Sequence, residues 1–230
     1  MDFIDSIYSL IVRYRADLLN ATTLTLELTV VSFTIGFVLG LLISIGRTYG
    51  HLLLKIPLAV YIEIIRGTPM IVQLFFIYYV LPVFGVKLDA FTASLIAIGL
   101  NSSAYQAEYF RMSFGAIQRG QWEAALSIGL SKWSAVTSII IPQGLRIVIP
   151  ALLNELIYLL KYSSVAYFVT VPELIYTSKI IGARTLLHLQ IYTVVAVFYI
   201  VVSTVFTRIV SIIEKKYRVP GLVIRGRETF

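Results

Sequence analysis

Long apolar stretches that lack a charged residue dominate the chain. Four windows of about 18 to 23 residues contain no Asp, Glu, Lys or Arg, and they lie at 28–46, 67–86, 90–107 and 185–207. Each is long enough to cross roughly 30 Å of hydrocarbon as a helix. A fifth stretch, 133–160, is equally apolar apart from Arg146 and Glu155. The pattern predicts an all-α polytopic membrane protein with about five transmembrane helices.

Prolines and loops set the boundaries of these helices. We expect them at about 21–46, from the loop 47–55 to about residue 79, at about 91–114, from about residue 133, and at about 187–210. Pro57 and Pro69 interrupt the second helix, and Pro142 and Pro150 break the fourth, because proline removes a backbone donor and crowds the preceding turn. The apolar stretch beyond Leu160 is too short to span and is expected to be re-entrant or interfacial.

Composition excludes several classes of protein. Hydrophobic residues make up 58% of the chain and charged residues 13%, which is too little charge to cover five buried helices of a soluble protein. The chain has no cysteine and two histidines, so we expect no disulfide, no thiol nucleophile and no metal site.

The first residues, 1–17, are predicted to form an amphipathic helix that lies along the membrane interface. Phe3, Ile7, Ile11 and Tyr14 recur at helical spacing. A signal peptide is not expected, because two aspartates stand where its positive charge should be and no small-residue cleavage site follows.

The net charge of +7 is distributed mainly in alternate loops, as the positive-inside rule expects. One set of loops holds Arg47, Lys55, Arg111, Arg119, Lys132, Arg208, Lys215, Lys216, Arg218, Arg225 and Arg227. The other set holds Arg13, Arg15, Lys87, Lys161, Lys179 and Arg184. This asymmetry places the N-terminus outside and the C-terminus in the cytoplasm, and it argues against nucleic acid as the partner.

Charged side chains inside the spans are candidates for function, because each costs about 3 kcal/mol at a helix centre unless it meets a partner or a wet cavity. Glu63 and Arg66 are three residues apart, so an ion pair that lets the second helix insert is one interpretation. Glu108 stands at the same spacing from Arg111, and we expect a structural pair there.

Glu155 differs from these residues because no basic residue stands three or four positions from it. Arg146 is nine residues away, on the opposite face of an unbroken helix. We hypothesise that Glu155 recognises the cationic end of an arginine, lysine or histidine substrate. The alternative is a structural pairing with Arg146 or with another helix.

Backbone chemistry singles out the second helix. Pro69 cannot donate a hydrogen bond to the carbonyl of Ile65, and such breaks are tolerated where the backbone lines a cavity or a neighbour supplies the donor. One face then carries Arg66, Met70 and Gln73. The third helix has a polar stripe, which either lines a pathway or holds helices together by hydrogen bonds. That stripe consists of Asn101, Tyr105 and Glu108, with Ser102 and Ser103 beside it.

The longest cytoplasmic loop carries a spaced pattern of small residues, EAAxxxG at 123–129, which IxIP follows at 139–142. It resembles the EAA segment of ABC importer permeases, with Ile141 where that family has leucine. The resemblance implies that 119–132 is a short cytoplasmic helix that docks into a groove on a separate ATPase. Small side chains let a partner approach the backbone closely, and Glu123 offers an anionic contact. The residues of the predicted contact are Glu123, Ala124, Ala125 and Gly129.

Two other segments resemble one branch of these permeases, the polar amino-acid uptake family. Residues 63–76 read EIIRGTPMIVQLFF and match its RGTPxxxQ signature, and residues 100–111 follow its LNSSAYxAEyfR run. The resemblance covers about 20–215. It implies that 1–230 is one permease domain, with a core at 19–218 and a basic cytoplasmic tail at 219–230.

The resemblance implies the membrane subunit of an ATP-driven importer of polar amino acids in a bacterial inner membrane, and Glu155 favours basic substrates. The expected partners are a cytoplasmic ABC ATPase, a second copy of the permease or a similar permease, an extracytoplasmic solute-binding protein, the amino acid and membrane lipid. No cofactor is expected on this chain, which has no GxxxxGK[ST], and ATP-Mg is expected on the ATPase. The predicted substrate-binding residues are Glu155, Asn101, Gln73, Arg66, Met70, Ser103, Tyr105 and Ser164.

Two alternatives belong to other classes. An ion-coupled secondary amino-acid transporter fits less well, because the chain shows no internal repeat. An intramembrane enzyme needs a pair of aspartates, a Ser/His constellation or a metal triad at membrane depth, and no aspartate lies inside any predicted span.

Overall fold

Helices account for almost all of the chain that the structure describes. The structure is a computed structural model, and it describes residues 2–216. The α-helices are α1 (Phe3–Arg13), α2 (Arg15–Tyr49), α3 (Leu52–Gly67), α4 (Met70–Phe75), α5 (Ala90–Gly115), α6 (Arg119–Ser127), α7 (Lys132–Ala135), α8 (Ile141–Tyr162), α9 (Leu174–Thr185) and α10 (His188–Lys216). No strand occurs within these residues, and the prediction of an all-α protein is confirmed. The predicted basic tail, 219–230, lies outside the described residues.

Shorter helical segments extend or join these elements. A π-helical segment (Phe76–Val80) and a 3-10 turn (Leu81–Phe84) continue α4. A second π-helical segment (Val136–Ile140) joins α7 to α8, and a 3-10 segment (Ser163–Val169) follows α8. Such segments keep the backbone hydrogen-bonded, which a chain in hydrocarbon requires.

Three helical stretches are long and apolar enough to cross a membrane alone: Arg15–Tyr49, Lys132–Val169 and His188–Ile209. Leu52–Gly67 and Met70–Phe84 qualify only as a bent pair, which gives up to four spans by length and composition. The remaining predicted span is α5, which has 26 residues. Its centre carries polar side chains, and most of them are buried against neighbouring helices and thereby kept from lipid.

α2 and α5 lie side by side and run in the same direction, since Ser32 contacts Leu95 and Gly36 contacts Ser102. Their contact depends on the glycines of the GxxxG motif. A Cβ atom added to Gly36 would lie 2.6 Å from Gln106 Nε2, and one added to Gly40 would lie 2.9 Å from Gln106 Cβ. No side chain fits at these distances, so the motif permits the close helix contact that it permits in other membrane proteins.

The second predicted helix is two helices joined by an elbow. α3 continues through Pro57, ends at Gly67, and α4 begins at Met70 after Thr68 and Pro69. The axes of the two parts differ in direction by 108°. Proline at this point withholds one backbone donor, and the chain changes direction where the helix cannot continue.

The prediction that two prolines break the fourth helix is wrong. Pro142 stands at the start of α8, directly after the π-helical segment, whose wider turn accommodates the missing backbone donor. Pro150 lies inside α8, and the helical stretch continues from Lys132 to Val169.

The region after Leu160 contains a helix that the sequence did not predict, α9. Thr25 Oγ1 of α2 accepts a hydrogen bond of 3.2 Å from Leu174 N. The carboxylate of Glu173 accepts bonds from Ile175 N at 2.9 Å and from Tyr176 N at 2.8 Å. Three backbone donors at the start of α9 are therefore satisfied by side chains, so the helix begins here. Burial raises the pKa of Glu173 to about 7, and the backbone bonds offset only part of that shift.

The N-terminal helix is present, as predicted. In α1, Leu10 is buried against Ile181 and Ile191, while Ile4 and Tyr8 are 76% and 71% exposed. One side of the helix therefore packs on α9 and α10, and an apolar side remains uncovered by the described chain. Its location at the membrane interface stays a prediction.

Candidate functional site

A cavity of about 280 Å³ opens at the elbow between α3 and α4. Side chains from α5 and α8 complete its wall. The lining residues are Arg66, Gly67, Thr68, Pro69, Met70, Asn101, Tyr105, Tyr158 and Tyr162. Arg66, Met70, Asn101 and Tyr105 belong to the predicted substrate-binding set, so the fold brings four of those eight residues together. Their contact with substrate stays a prediction.

Arg66 does not form the ion pair with Glu63 that its spacing allows. The carbon at the centre of its guanidinium, Cζ, lies 5.3 Å from the centre of the Tyr105 ring, within the range of a cation–π contact. Both charged residues are exposed, and the ion pairs among residues 2–216 include neither of them. The Arg66 guanidinium thus lines the cavity with its hydrogen-bond donors available.

Gln73 lies in α4 and forms hydrogen bonds to the backbone of the elbow. Its Nε2 donates to Ile65 O at 2.7 Å, to Thr68 O at 3.1 Å and to Thr68 Oγ1 at 2.8 Å. Its Oε1 accepts a bond of 3.0 Å from Asn101 Nδ2. The carbonyl that Pro69 leaves without its helical donor is therefore satisfied by a neighbouring side chain, one of the two outcomes that the sequence allowed.

Two other predicted residues, both serines, lie away from the cavity. Ser103 is fully buried, shares a hydrogen bond of 2.7 Å with Tyr61 Oη, and donates to Leu100 O at 2.8 Å. Ser164 donates to Lys161 O at 2.6 Å and does not line the cavity. Both hydroxyls are bonded within the protein, as is common for serine in membrane helices.

Glu155 is buried, and its partners are neutral. It is 5% exposed. Oε1 accepts a bond of 2.8 Å from Ser102 Oγ, and Oε2 accepts one of 3.2 Å from Tyr109 Oη. Arg146 lies on the exposed surface of α8 and makes no ion pair with it. Of the predicted alternative, the pairing with Arg146 is therefore wrong, whereas a structural pairing with another helix is what the structure shows, since both partners belong to α5.

Glu155 stands close to the cavity without lining it. Tyr158 lies three residues further along α8 and is part of the wall, and Tyr109 lies one turn beyond Tyr105 on α5. Glu155 therefore neighbours residues of the wall on both α8 and α5.

The sequence did not single out the tyrosines of α8. Tyr158 and Tyr162 face the cavity with their ring centres 4.3 Å apart. Their spacing of four residues on the helix that carries Glu155 is a signal that could have identified them. Aromatic rings supply both apolar surface and a negative face for a cation.

Glu108 holds a charged cluster at the far end of α5. It pairs with Arg111 at 2.7 Å, as predicted, and also with Arg47 of α2, which the sequence did not suggest. The glutamate joins two helices near the end of α5, after which residues 119–132 follow, the predicted ATPase contact that we call the coupling segment.

The coupling segment contains a helix, α6, that packs against the spans. The Trp122 ring lies 5.7 Å from that of Tyr49 at the end of α2, and Gln143 Nε2 of α8 donates to Gln121 Oε1 at 3.2 Å. Ala125 is 2% exposed and faces inward, while Glu123 and Ala124 face outward. The small side chain of Ala125 therefore allows close packing within this chain.

Gly129 ends α6 with a positive φ of 82°. Its N–H bonds to Leu126 O at 3.0 Å, and Leu130 N bonds to Ala125 O at 3.1 Å. This left-handed helix stop favours glycine over any residue with a Cβ atom. The residues beside it expose apolar surface, with Leu126 47%, Ile128 75% and Trp133 60% exposed.

The described residues contain no group of three His, Cys, Asp or Glu side chains that could hold a metal ion. What the cavity offers is a guanidinium, an amide and three phenol rings.

Comparison with protein families gives one match that covers most of the chain. Residues 32–219 match the sequence model of the binding-protein-dependent transport system inner membrane component. The match begins within α2 and includes the elbow, the cavity residues and the coupling segment.

Two curated bacterial proteins are similar over most of their length. The chain is 42% identical over 193 residues to a protein of Bacillus subtilis (strain 168) named probable amino-acid ABC transporter permease protein YckA, covering 84% of this chain and 85% of that protein. It is 36% identical over 204 residues to the glutamine transport system permease protein GlnP of Escherichia coli (strain K12), covering 88% and 93%.

A solved structure has a similar fold. A chain of the crystal structure titled as an amino acid ABC transporter with histidines superposes with a TM-score of 0.85 at 36% sequence identity. The match covers 94% of this chain and 99% of that one.

Proposed function

This chain belongs to the family of binding-protein-dependent transport system inner membrane components, and from that premise we propose that its elbow cavity binds a polar amino acid in transit. The chain is the permease subunit of an amino-acid ABC importer in a bacterial inner membrane. It is not an enzyme, since a separate subunit hydrolyses ATP in this family. Membership of this family sets aside the ion-coupled secondary transporter.

The observation that carries the proposal is the Arg66 guanidinium at the cavity wall, with no carboxylate of the described chain paired to it. Every amino-acid substrate brings a carboxylate, and guanidinium binds that group with two parallel hydrogen bonds. The cavity of about 280 Å³ suits a molecule of this size. Asn101 adds a polar contact, and the tyrosine rings favour the ammonium group.

Basic amino acids are the proposed substrates, and Glu155 supports that choice. Its carboxylate is bonded only to two hydroxyl groups, so a substrate cation that reached it would gain the first opposite charge in a site of low dielectric. One relative is named for glutamine and the solved structure for histidines, which supports a side-chain preference that differs between members of the family. We therefore assign the side-chain preference to Glu155 and the common amino-acid recognition to Arg66.

Partners follow from the family and from the shape of the coupling segment. ABC importers of this kind need an ATPase, a binding protein and a second permease. We propose that the exposed side of α6, with Glu123 and Ala124 and with apolar Leu126 and Ile128 beside them, contacts the ATPase. The remaining surfaces of the spans contact lipid and a second copy of this chain or a similar permease.

The orientation that we propose puts the N-terminus outside and α6 in the cytoplasm. The excess of basic residues in the loops around α6 supports it. The parallel course of α2 and α5 is consistent with it, because α6 follows the end of α5 and the N-terminus precedes the start of α2.

Uptake in proteoliposomes tests the proposal. The chain, its ATPase and its binding protein are reconstituted with ATP inside, and uptake of labelled arginine, lysine, histidine and glutamine is measured. We expect uptake that requires ATP and that Arg66→Gln reduces for every amino acid. Uptake by the chain without the ATPase, or full activity of Arg66→Gln, would contradict it.

A further inference from the structure

The elbow beside the cavity is held by one side chain, Gln73. Pro69 has no N–H to offer to Ile65 O, and Gln73 Nε2 donates to that oxygen at 2.7 Å. The same nitrogen lies 3.1 Å from Thr68 O and 2.8 Å from Thr68 Oγ1. The Nε2 group of Gln73 thus bonds to the backbone of both Ile65 and Thr68, just before the 108° bend between α3 and α4.

Gln73 also connects the elbow to the central helix. Asn101 Nδ2 of α5 donates to Gln73 Oε1 at 3.0 Å. With Nε2 directed at carbonyl oxygens and Oε1 at an amide donor, the orientation of the Gln73 amide is fixed from both ends. A side chain without both a donor and an acceptor cannot replace it.

Two partners of Gln73, Thr68 and Asn101, line the cavity, but Ile65 and Gln73 itself do not. Thr68 belongs to the elbow and Asn101 to α5, so Gln73 joins two different elements of the wall. Arg66 and Met70 stand on either side of the break that Gln73 spans. Gln73 therefore holds the elbow, which carries Arg66, in place relative to α5, and it does so without lining the cavity itself.

We propose that Gln73 is a positioning residue for substrate rather than a substrate ligand, a proposal that rests on the proposed function of the cavity. It fixes the elbow so that the Arg66 guanidinium and the Asn101 amide face one bound amino acid together. Positioning of this kind acts on affinity, since a site whose groups are held in place loses less entropy on binding.

A purely structural role gives a different expectation. If Gln73 only supplied the donor that Ile65 O lacks, its loss would lower the stability of the fold and leave the affinity of the folded molecules unchanged. The two readings are separated by measuring stability and affinity on the same variants.

The experiment uses the permease–ATPase complex in nanodiscs without the binding protein, with L-arginine and L-glutamine as probes. Gln73→Met has similar length and no hydrogen bonds. Gln73→Glu keeps an acceptor for Asn101 but places a carboxylate against Ile65 O. The control is Gly182→Ala in α9, whose Cβ would lie 2.7 Å from His188 Nδ1, outside the cavity lining and away from the elbow and α5 in sequence. Dissociation constants and melting temperatures are measured for each.

We expect both Gln73 variants to weaken binding of the probes by roughly tenfold or more, the scale of one or two lost hydrogen bonds. Gly182→Ala should lower the melting temperature and leave the dissociation constants within about twofold, since it overpacks a contact of α9 and removes no contact of the site. Binding by Gln73→Met or Gln73→Glu at wild-type affinity would overturn the positioning role. A wild-type complex that binds neither probe would instead overturn the proposed function of the cavity.

Discussion

Ser102 of α5 donates a hydrogen bond of 2.8 Å to Glu155 of α8. Ser102 also accepts one of 2.9 Å from Gln106 Nε2, which in turn lies 3.3 Å from Phe33 O of α2. A chain of hydrogen bonds therefore joins three helices and ends at a carboxylate beside the cavity. Both partners of the carboxylate are neutral hydroxyl groups, so in the proposed function the opposite charge comes from the substrate.

Neutralising Glu155 should change which amino acids are carried. In Glu155→Gln, Ser102 and the amide can still form a hydrogen bond, while attraction for a cationic side chain is lost. We expect uptake of arginine and lysine to fall by roughly tenfold or more and uptake of glutamine by much less. The measurement is competition between labelled amino acids in proteoliposomes.

Ser102→Ala is the matched control for that variant, because it removes the hydrogen bond and keeps the carboxylate. It should lower the stability of the complex and preserve the preference for basic amino acids. An equal loss for arginine and glutamine in Glu155→Gln would mean that Glu155 is structural.

Packing of α2 on α5 should fail when Gly36 gains a side chain. A Cβ atom at that position would lie 2.6 Å from Gln106 Nε2 and 2.8 Å from Ser102 Oγ. We expect Gly36→Ala to lower the free energy of unfolding by about 1–3 kcal/mol, the usual cost of overpacking. The melting temperature of the purified complex checks this.

Gly120→Ala is the control for packing, since a Cβ atom there meets nothing within 4 Å. Alanine is a better helix former than glycine, so that variant should keep or raise the melting temperature. Equal melting temperatures for Gly36→Ala and wild type would show that the α2–α5 contact accommodates a methyl group at no cost.

Much of the fold was readable from the sequence because hydrophobic length and helical spacing report on lipid exposure. α5 was predicted within one residue at each end, 91–114 against Ala90–Gly115. The pairing of Glu108 with Arg111 followed from spacing alone. α9 was missed because its start depends on Thr25 of a distant helix, a contact that no local pattern reveals.

The cavity residues likewise include some that the sequence predicted and some that it did not. Arg66, Met70, Asn101 and Tyr105 were named from charge, polarity and the proline break. The sequence did not predict that the tyrosines of α8 line the wall, because their position depends on how the helices pack. Ser103 was predicted to bind substrate but does not line the wall, and its hydroxyl bonds to Tyr61. Arg66 lies over the ring of Tyr105 and does not pair with Glu63. The chain changes direction directly after Arg66, at the elbow where α3 ends. Sequence spacing describes neighbours on one straight helix, and this site is built where a helix ends.

Gly129 should be sensitive to any side chain, even though open space surrounds it. Its φ of 82° is strained for other residues, while a Cβ atom there would meet nothing within 4 Å. Gly129→Ala should reduce the uptake obtained per ATP hydrolysed, because the turn that orients α6 costs roughly 1 kcal/mol more to hold. Uptake and phosphate release are measured together in proteoliposomes.

Gly129→Asn separates conformation from size at this turn. Asparagine is larger than alanine and adopts the left-handed conformation more readily. It should therefore couple better than Gly129→Ala. The reverse order would indicate that the ATPase needs a small residue at this position.

Acid should stabilise the protein through Glu173, which is fully buried and lies between the spans. Burial raises its pKa from 4.5 to about 7, so the folded state favours the protonated form. The free energy of unfolding is then highest below pH 4.5 and falls by about 3 kcal/mol as the pH rises through 7.

Glu173→Gln, which can still accept a bond from Ile175 N or Tyr176 N, should melt higher than wild type at pH 8 and show no such fall. Glu123→Gln, at an exposed position, serves as the control and should follow the wild-type profile. A wild-type melting temperature that rises with pH between 5 and 8 would contradict the assignment.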